Sequence, residues 1–130
     1  MKLARLSLYV MAVTFLGLGA MSLVAPTNLT SLVELSMPTP VAIMEVRGVY
    51  GGLFFGIGAF FLVFARHDAW ARPGLIAQIG VMGGFVLGRT IGIVFGGAPN
   101  LFISALFVGE VFMVAVAVVA LRRLNSSATV

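Results

Sequence analysis

The sequence predicts an all-α, four-helix transmembrane bundle that forms a single domain over residues 1–130, with both termini in the cytoplasm. Three observations predict it. Only 9% of the residues are charged, whereas a soluble domain carries about a quarter, so the charges are too few to cover a water-soluble surface. Four apolar segments each approach the roughly 20 residues that a helix needs to cross the hydrocarbon core. Most Lys and Arg residues fall on one side if all four segments span the membrane.

The four segments follow one another along the chain. The first covers about residues 6–24, the second 46–65, the third 74–95 and the fourth 101–121. The first segment also resembles a signal peptide, because basic residues precede its apolar stretch, but we expect it to be retained as a span. The polar stretch NSSATV, residues 125–130, is predicted to be a frayed tail.

The three connectors differ in length and charge. RHDAWAR, residues 66–72, is short and charged, and its Trp70 is a candidate interfacial anchor. GGAPN, residues 96–100, is a tight turn. The connector 25–43 is long, and polar and apolar residues alternate over 30–35. This alternation predicts either a short interfacial helix or an irregular loop on the membrane surface.

The basic residues predict the orientation of the chain. In a four-span topology, six of them lie on the side that holds both termini, and the opposite connectors hold none. Because cytoplasmic connectors carry the excess of Lys and Arg, both termini are predicted to be cytoplasmic. The six residues are Lys2, Arg5, Arg66, Arg72, Arg122 and Arg123.

Four ionisable residues lie in or at the edge of the predicted spans: Glu45, Arg47, Arg89 and Glu110. Because a helix rises about 1.5 Å per residue, Arg89 lies roughly 22 Å from the cytoplasmic start of the third segment and about 10 Å from its outer end. Glu110 lies about 13 Å below the outer end of the fourth segment. Glu45 and Arg47 begin the second segment at its outer end. We therefore predict one charge cluster in the outer half of the membrane.

The depths also predict how this cluster is paired. A lone Arg or Glu in lipid costs at least about 3 kcal/mol. Arg89 and Glu110 differ in depth by only about 5 Å, so we predict that they pair. On a regular helix Glu45 and Arg47 point about 160° apart, so either the helix starts after Glu45 or each takes a partner elsewhere. Arg47 facing Glu110 and Glu45 facing Arg89 would neutralise the set. Tyr50 is a candidate hydrogen-bond donor to the cluster, or an interfacial aromatic residue.

Two interpretations of the cluster stay open. In one, the buried ion pairs only fix the register of the helices. In the other, they form a functional site, as charges within membrane spans often do. Glu110 is the sharpest single candidate, because a carboxyl group near mid-membrane could exchange protons.

Glycines recur every four residues on two of the segments. Such small-residue ridges let helix backbones approach closely in lipid. We predict that these glycines pack against neighbouring helices of the same chain, with packing between two copies as the alternative. They are Gly48, Gly52 and Gly56 on the second segment, and Gly80, Gly84, Gly88, Gly92 and Gly96 on the third.

Other chemistry is sparsely represented. The chain has no Cys, and its one histidine, His67, adjoins Asp68 in a connector that is typical of a solvated loop. There is no phosphate-binding glycine loop and no nucleophile triad in the sequence. We therefore expect no catalytic residue, no metal, no cofactor and no nucleic-acid partner. Gln78 is predicted to form an interhelical hydrogen bond.

The stretch EVRGVYGG, together with Gly-Arg on the third segment and a glutamate on the fourth, resembles a bacterial family of small four-helix membrane proteins whose domain has no assigned function. The resemblance covers nearly the whole chain. It implies the four-span architecture and brings no activity. The residues that carry it are Glu45, Arg47, Tyr50, Gly51, Gly52, Arg72, Pro73, Gly88, Arg89 and Glu110.

Three functions fit a multi-pass protein of the bacterial inner membrane with these features. The leading hypothesis is a non-enzymatic module that binds a membrane lipid, another amphipathic small molecule or a larger membrane complex at the charge cluster. The alternative is a homo-oligomeric small-molecule transporter with Glu110 as its proton-coupled site. An intramembrane enzyme that uses Glu110 and Tyr50 ranks last, because one carboxyl group without His, Cys, Lys or a metal is a thin catalytic set.

Overall fold

A computed structural model describes residues 1–127, which are helical for most of their length and include no strand. Four of the helices are long and two are short. A π-helical segment and one turn of 3₁₀ helix complete the set. In chain order the elements are α1 (Lys2–Val24), α2 (Pro26–Leu32), α3 (Pro40–Val46), the π-helix (Arg47–Leu53), α4 (Phe54–Arg66), the 3₁₀ turn (Asp68–Trp70), α5 (Ala71–Gly96) and α6 (Leu101–Ser127).

Four helical stretches are long and apolar enough to cross a membrane, as predicted. They are Lys2–Val24, Pro40–Arg66, Asp68–Gly96 and Leu101–Ser126. The second of them joins α3, the π-helix and α4 without a break. It has 27 residues, so at about 1.5 Å per residue it reaches roughly 40 Å, which exceeds the hydrocarbon core of about 30 Å. Polar residues at the ends of the apolar segments therefore stay helical, which the sequence interpretation did not include.

The second span begins six residues before the predicted start at residue 46. Thr39 precedes the helix in an extended conformation, and its hydroxyl accepts a hydrogen bond from the Ala42 amide at 3.2 Å. Pro40 occupies the first turn, where its missing N–H costs nothing. Because of this cap, Glu45 lies within the helix and not before it.

The long connector contains a short helix, α2, rather than an irregular loop alone. It starts at Pro26, ahead of the alternating stretch 30–35 that predicted it. Leu29 and Thr30 are buried, and the Thr30 hydroxyl donates to the Pro26 carbonyl at 3.0 Å. Two residues after the helix, Glu34 has a φ of 57°, so the chain turns there.

At the other end of the chain, α6 continues through Ser127. The predicted frayed tail therefore begins later than residue 125. Residues 128–130 of that prediction lie outside the described part of the chain.

The chain divides into two compact units. One, here the α1/α4 unit, is Tyr9–Val63. The other, here the α5/α6 unit, combines Met1–Leu8 with the chain from Phe64 onward. Helix α1 runs through the division, so its first residues belong with the second half of the sequence.

Backbone contact between α1 and α4 holds the α1/α4 unit together. A Cβ atom at Gly19 would lie 2.5 Å from the backbone nitrogen of Phe55. A Cβ atom at Gly58 would lie 2.5 Å from the backbone nitrogen of Leu16. Only glycine permits two helices to cross this closely.

Aromatic rings fill the space beside this crossing. Phe15 is buried on α1 and meets the ring of Phe54 edge to face, with 5.2 Å between centroids. Its ring also lies 6.1 Å from that of Phe61, which is buried too. These contacts pack α1 against α4 over about two turns.

In the α5/α6 unit, α5 packs along α6, and the start of α1 joins them. Gln78 lies at the centre and is fully buried. The Ser7 hydroxyl donates to its side-chain oxygen at 2.9 Å, and its side-chain nitrogen donates to the Met113 carbonyl at 3.0 Å. The predicted interhelical hydrogen bond of Gln78 is therefore confirmed. It joins three helices.

The two predicted glycine ridges do not provide the packing of either unit. Among residues 1–127, a Cβ atom at seven of these glycines would meet no atom within 4 Å, and at the eighth it would meet only a carbonyl of its own helix. Their faces are uncovered by the helices of their own unit, so the structure does not support their packing within the chain. Packing between copies stays a prediction. The glycines concerned are Gly48, Gly52, Gly56, Gly80, Gly84, Gly88, Gly92 and Gly96.

Candidate functional site

The ion pair between Arg89 and Glu110 joins α5 to α6. The Nε–H group of Arg89 donates to both carboxylate oxygens of Glu110, at 2.8 and 3.0 Å. The side chains of Arg89 and Glu110 are 21% and 10% exposed, so the pair is largely buried. The predicted pairing is confirmed. A hydrogen-bonded pair at this depth removes most of the cost of placing either charge alone in lipid.

The terminal nitrogens of Arg89 have no hydrogen-bond partner within the described part of the α5/α6 unit. Among residues 1–127, the guanidinium forms hydrogen bonds through Nε alone. A guanidinium has five N–H donors, and the two terminal nitrogens carry four of them. Four donors of Arg89 therefore have no partner among the described residues of the α5/α6 unit.

Arg89 lines a groove of about 290 Å³ where α5 ends and α6 begins. Apart from this side chain, the groove is lined by apolar residues and glycines. One cation thus faces an apolar cleft, an arrangement typical of sites for molecules with a polar head and an apolar body. The remaining lining residues are Gly92, Ile93, Gly96, Gly97, Pro99 and Ile103.

The turn between the two helices shapes one end of this groove. Gly97 has a φ of 100°, a conformation that a side chain would strain. Asn100 caps the N-terminus of α6, because its side-chain oxygen accepts a hydrogen bond from the Ile103 amide at 2.9 Å. The predicted tight turn at 96–100 is therefore held by a glycine and a helix cap.

The other predicted site residues lie in the α1/α4 unit. Glu45 is the next-to-last residue of α3, and Arg47 begins the π-helix; both side chains are exposed. Tyr50 is half-buried, and its ring meets that of Phe54 edge to face at 5.5 Å. Within residues 9–63 its hydroxyl has no hydrogen-bond partner, and both interpretations of Tyr50, as a donor to the cluster or as an interfacial aromatic residue, stay predictions. The contacts predicted from Glu45 and Arg47 to the other unit stay predictions.

The stretch RGVYGGL is π-helical from Arg47 to Leu53. Hydrogen bonds in a π-helix run from i to i+5, so its turns are wider than those of an α-helix. The predicted ridge of Gly48, Gly52 and Gly56 is therefore interrupted, because residues four apart do not align through this segment. Gly51 is buried here, and a Cβ atom on it would lie 2.8 Å from the Leu23 side chain.

Comparison with known proteins identifies the family. A family model described as "Domain of unknown function (DUF4345)" matches residues 3–121. The chain belongs to the DUF4345 family. No curated protein and no solved structure matches it.

The DUF4345 match covers nearly the whole chain, so the ion pair, the groove and the π-helix all belong to the family domain. π-helices are rare and frequently occur at functional sites. In this DUF4345 chain the π-helix coincides with the motif that carried the resemblance. Because of this coincidence, Arg47–Leu53 is a second candidate for a functional segment, in addition to the groove.

The sequence indicated Arg89, the one charged residue that lines the groove of this DUF4345 chain, but not the apolar residues that line the rest of it. Arg89 and Glu110 were found because charges inside apolar segments stand out. Gly92 and Gly96 were assigned to helix packing, whereas they line the groove. Ile93 and Ile103 carry no signal of their own, since they look like any lipid-facing residue. The tight turn 96–100 was the one available hint that the ends of α5 and α6 lie close together.

Proposed function

We propose that the protein is a non-enzymatic membrane module that holds a lipid or another amphipathic molecule in the groove beside the Arg89–Glu110 pair. One observation carries the proposal. The arginine is fixed by Glu110 through Nε, yet its terminal donors have no partner within the described part of the α5/α6 unit, and the residue lines an apolar groove. Fixing one face of a side chain while leaving the other free is typical of a preorganised binding group.

The size of the groove favours a small molecule over a protein partner. Ligand pockets usually measure about 300–1,000 Å³, and this groove, at about 290 Å³, lies at the lower limit. It can hold a head group and part of an apolar chain. A helix of a larger membrane complex, about 10 Å across, would not fit within it.

The distribution of basic residues supports an orientation. We propose that both termini face the cytoplasm of a bacterial inner membrane, because Lys2, Arg5, Arg66 and Arg72 then lie on the cytoplasmic side with Arg122 and Arg123. The turn at Gly97 and the groove would lie toward the outer surface. The ligand would thus enter from the outer leaflet.

Native mass spectrometry tests the proposal. We expect the wild-type protein, extracted in mild detergent, to carry a bound molecule that is reduced or lost in Glu110→Gln. The variant keeps the volume of the side chain but weakens its hold on Arg89. Glu34→Gln, which changes an exposed carboxyl in the connector after α2, is the matched control and should retain the molecule.

Equal occupancy in wild type and Glu110→Gln would contradict the proposal. If both proteins carry nothing, the homo-oligomeric transporter with Glu110 as its proton-coupled site becomes the better hypothesis. Its test is uptake by proteoliposomes under a pH gradient, which Glu110→Gln should abolish.

A further inference from the structure

The free donors of Arg89 limit the chemistry of what can occupy the groove. Inside a membrane there is little water to satisfy an N–H group, so each unsatisfied donor is costly. Within the α5/α6 unit, no described residue accepts a hydrogen bond from the two terminal nitrogens. The acceptor must therefore come from outside this unit, and it must reach the end of the groove where Arg89 lies.

A bare anion does not meet this requirement. Glu110 already neutralises Arg89, so the net charge of the pair is zero and its long-range attraction for a soluble ion is weak. Most of the binding free energy must instead come from the apolar wall formed by Ile93 and Ile103. The ligand therefore needs an apolar chain as well as an acceptor group.

The floor of the groove suits such a chain. Gly92 and Gly96 both line it, and a Cβ atom at either would meet nothing within 4 Å. The helix surface is therefore flat and open over one turn of α5. A flat strip of this kind can hold several methylene groups of an extended acyl chain.

The planar guanidinium group of Arg89 favours a head group with two acceptor oxygens. Guanidinium groups bind the oxygens of a phosphate through two parallel N–H···O bonds, a geometry that a single carbonyl or hydroxyl oxygen cannot match. Arg89 lies about 10 Å from the end of α5, within reach of a lipid phosphate that approaches along a helix end. The bilayer itself supplies molecules that carry such a phosphate on an acyl chain.

We propose that the groove is a phospholipid site. The phosphodiester oxygens accept hydrogen bonds from the terminal nitrogens of Arg89, and one acyl chain lies along Gly92 and Gly96 between Ile93 and Ile103. This inference rests on the proposed function and names its ligand class.

A variant that fills the groove tests the inference without touching the ion pair. In Gly92→Leu the added Cβ atom meets no other atom within 4 Å, and the rest of the side chain obstructs the acyl-chain path. Leucine also has the higher helix propensity, so α5 should stay folded. Gly80→Leu is the matched control, because Gly80 is equally open on the same helix and does not line the groove. Gly96→Leu provides a second, independent way to fill the groove.

The measurement is binding to the delipidated protein in mild detergent, followed by native mass spectrometry. Three probes are titrated: dioleoyl-phosphatidylglycerol, dioleoylglycerol with the same chains, and inorganic phosphate. We expect wild type and Gly80→Leu to bind one phosphatidylglycerol molecule. In Gly92→Leu and Gly96→Leu this affinity should fall at least about tenfold, which corresponds to about 1.4 kcal/mol. Wild type should bind dioleoylglycerol at least about tenfold more weakly than phosphatidylglycerol. It should bind inorganic phosphate no more tightly than Gly92→Leu does.

Three results would overturn the inference. Equal affinity of Gly92→Leu and wild type for phosphatidylglycerol would place the lipid elsewhere. Equal binding of dioleoylglycerol would show that the phosphate is not recognised. Binding of inorganic phosphate alone would show a simple anion site. If the wild type instead holds a phosphate-free molecule that Glu110→Gln releases, the proposed function stands and only the phospholipid assignment falls.

Discussion

At the scale of single residues, Arg89 contacts Glu110 through its Nε–H group and not through its two terminal nitrogens. A structural pair commonly uses the fork of the guanidinium, with two parallel bonds to the carboxylate. Here Nε alone serves both oxygens of Glu110. The pair holds the arginine in place and leaves its terminal nitrogens without a partner among the described residues of the α5/α6 unit.

The pairing of Arg89 with Glu110 can be tested by a double-mutant cycle. Arg89→Leu and Glu110→Leu should each lower the free energy of unfolding by about 3 kcal/mol, because each leaves one buried charge without its partner. The double variant should recover about 0.5–3 kcal/mol of the summed loss. Unfolding can be followed in mixed micelles by SDS titration, with the fluorescence of Trp70, the single tryptophan, as the signal. Strictly additive losses would mean that the side chains do not interact.

The buried amide of Gln78 should stabilise the α5/α6 unit. Gln78→Leu removes the bonds to Ser7 and Met113 and keeps the site filled, so we expect a loss of about 1–2 kcal/mol in the same unfolding assay. Ser7→Ala removes only one of these bonds and should cost less. Thr90→Val is the control, since its exposed hydroxyl bonds only the Val86 carbonyl of its own helix. A Gln78→Leu protein as stable as wild type would show that the network contributes nothing net.

At the scale of the elements, the crossing of α1 and α4 depends on two glycines that did not belong to any ridge. Gly19 and Gly58 each bring one helix against the backbone of the other. Their neighbours Gly17 and Gly56, two residues away, face open space. On each helix, therefore, one glycine lies at the helix crossing and another, two residues away, lies on an open surface.

This difference predicts opposite effects of alanine. Gly19→Ala and Gly58→Ala should destabilise the protein by about 1–3 kcal/mol, because the added methyl meets backbone atoms that cannot move aside. Gly17→Ala and Gly56→Ala should be neutral or stabilise by about 0.5–1 kcal/mol through helix propensity. Thermal unfolding in detergent measures all four. Equal effects within each pair would contradict the crossing.

Sequence reasoning predicted the four helices because composition and segment length suffice for them. It predicted the Arg89–Glu110 pair because two opposite charges at similar depth in lipid have few alternatives. It could not predict the π-helix at Arg47–Leu53, since an extra residue in a turn leaves the apolar pattern of a span unchanged. It misassigned the glycines because periodicity shows that residues share a face, and not whether another helix covers that face.

At the scale of the whole molecule, the basic residues and the helices together predict a definite topology. His67 would lie on the cytoplasmic side, and Ser36 and Ala98 would lie outside. The absence of Cys from the chain permits a clean test, because a single introduced thiol is the only one that can react.

We expect a membrane-impermeant maleimide to label Ser36→Cys and Ala98→Cys on intact spheroplasts. His67→Cys should react only after the membrane is permeabilised. All three side chains are exposed, so a difference in labelling reports the side of the membrane and not burial. Labelling of His67→Cys from outside would reverse the orientation, and labelling of all three would indicate a mixed topology.

The division of α1 between the two units has a consequence for biogenesis. Ser7 bonds Gln78, 71 residues later, and Arg5 pairs with Asp68, 63 residues later. At a synthesis rate of about 5–20 residues per second, the start of the chain waits roughly 4–14 s for Gln78 to be made. If α1 inserts as it is synthesised, it enters the bilayer while these polar groups still lack their partners. Completion of the α5/α6 unit is then a later and separate event.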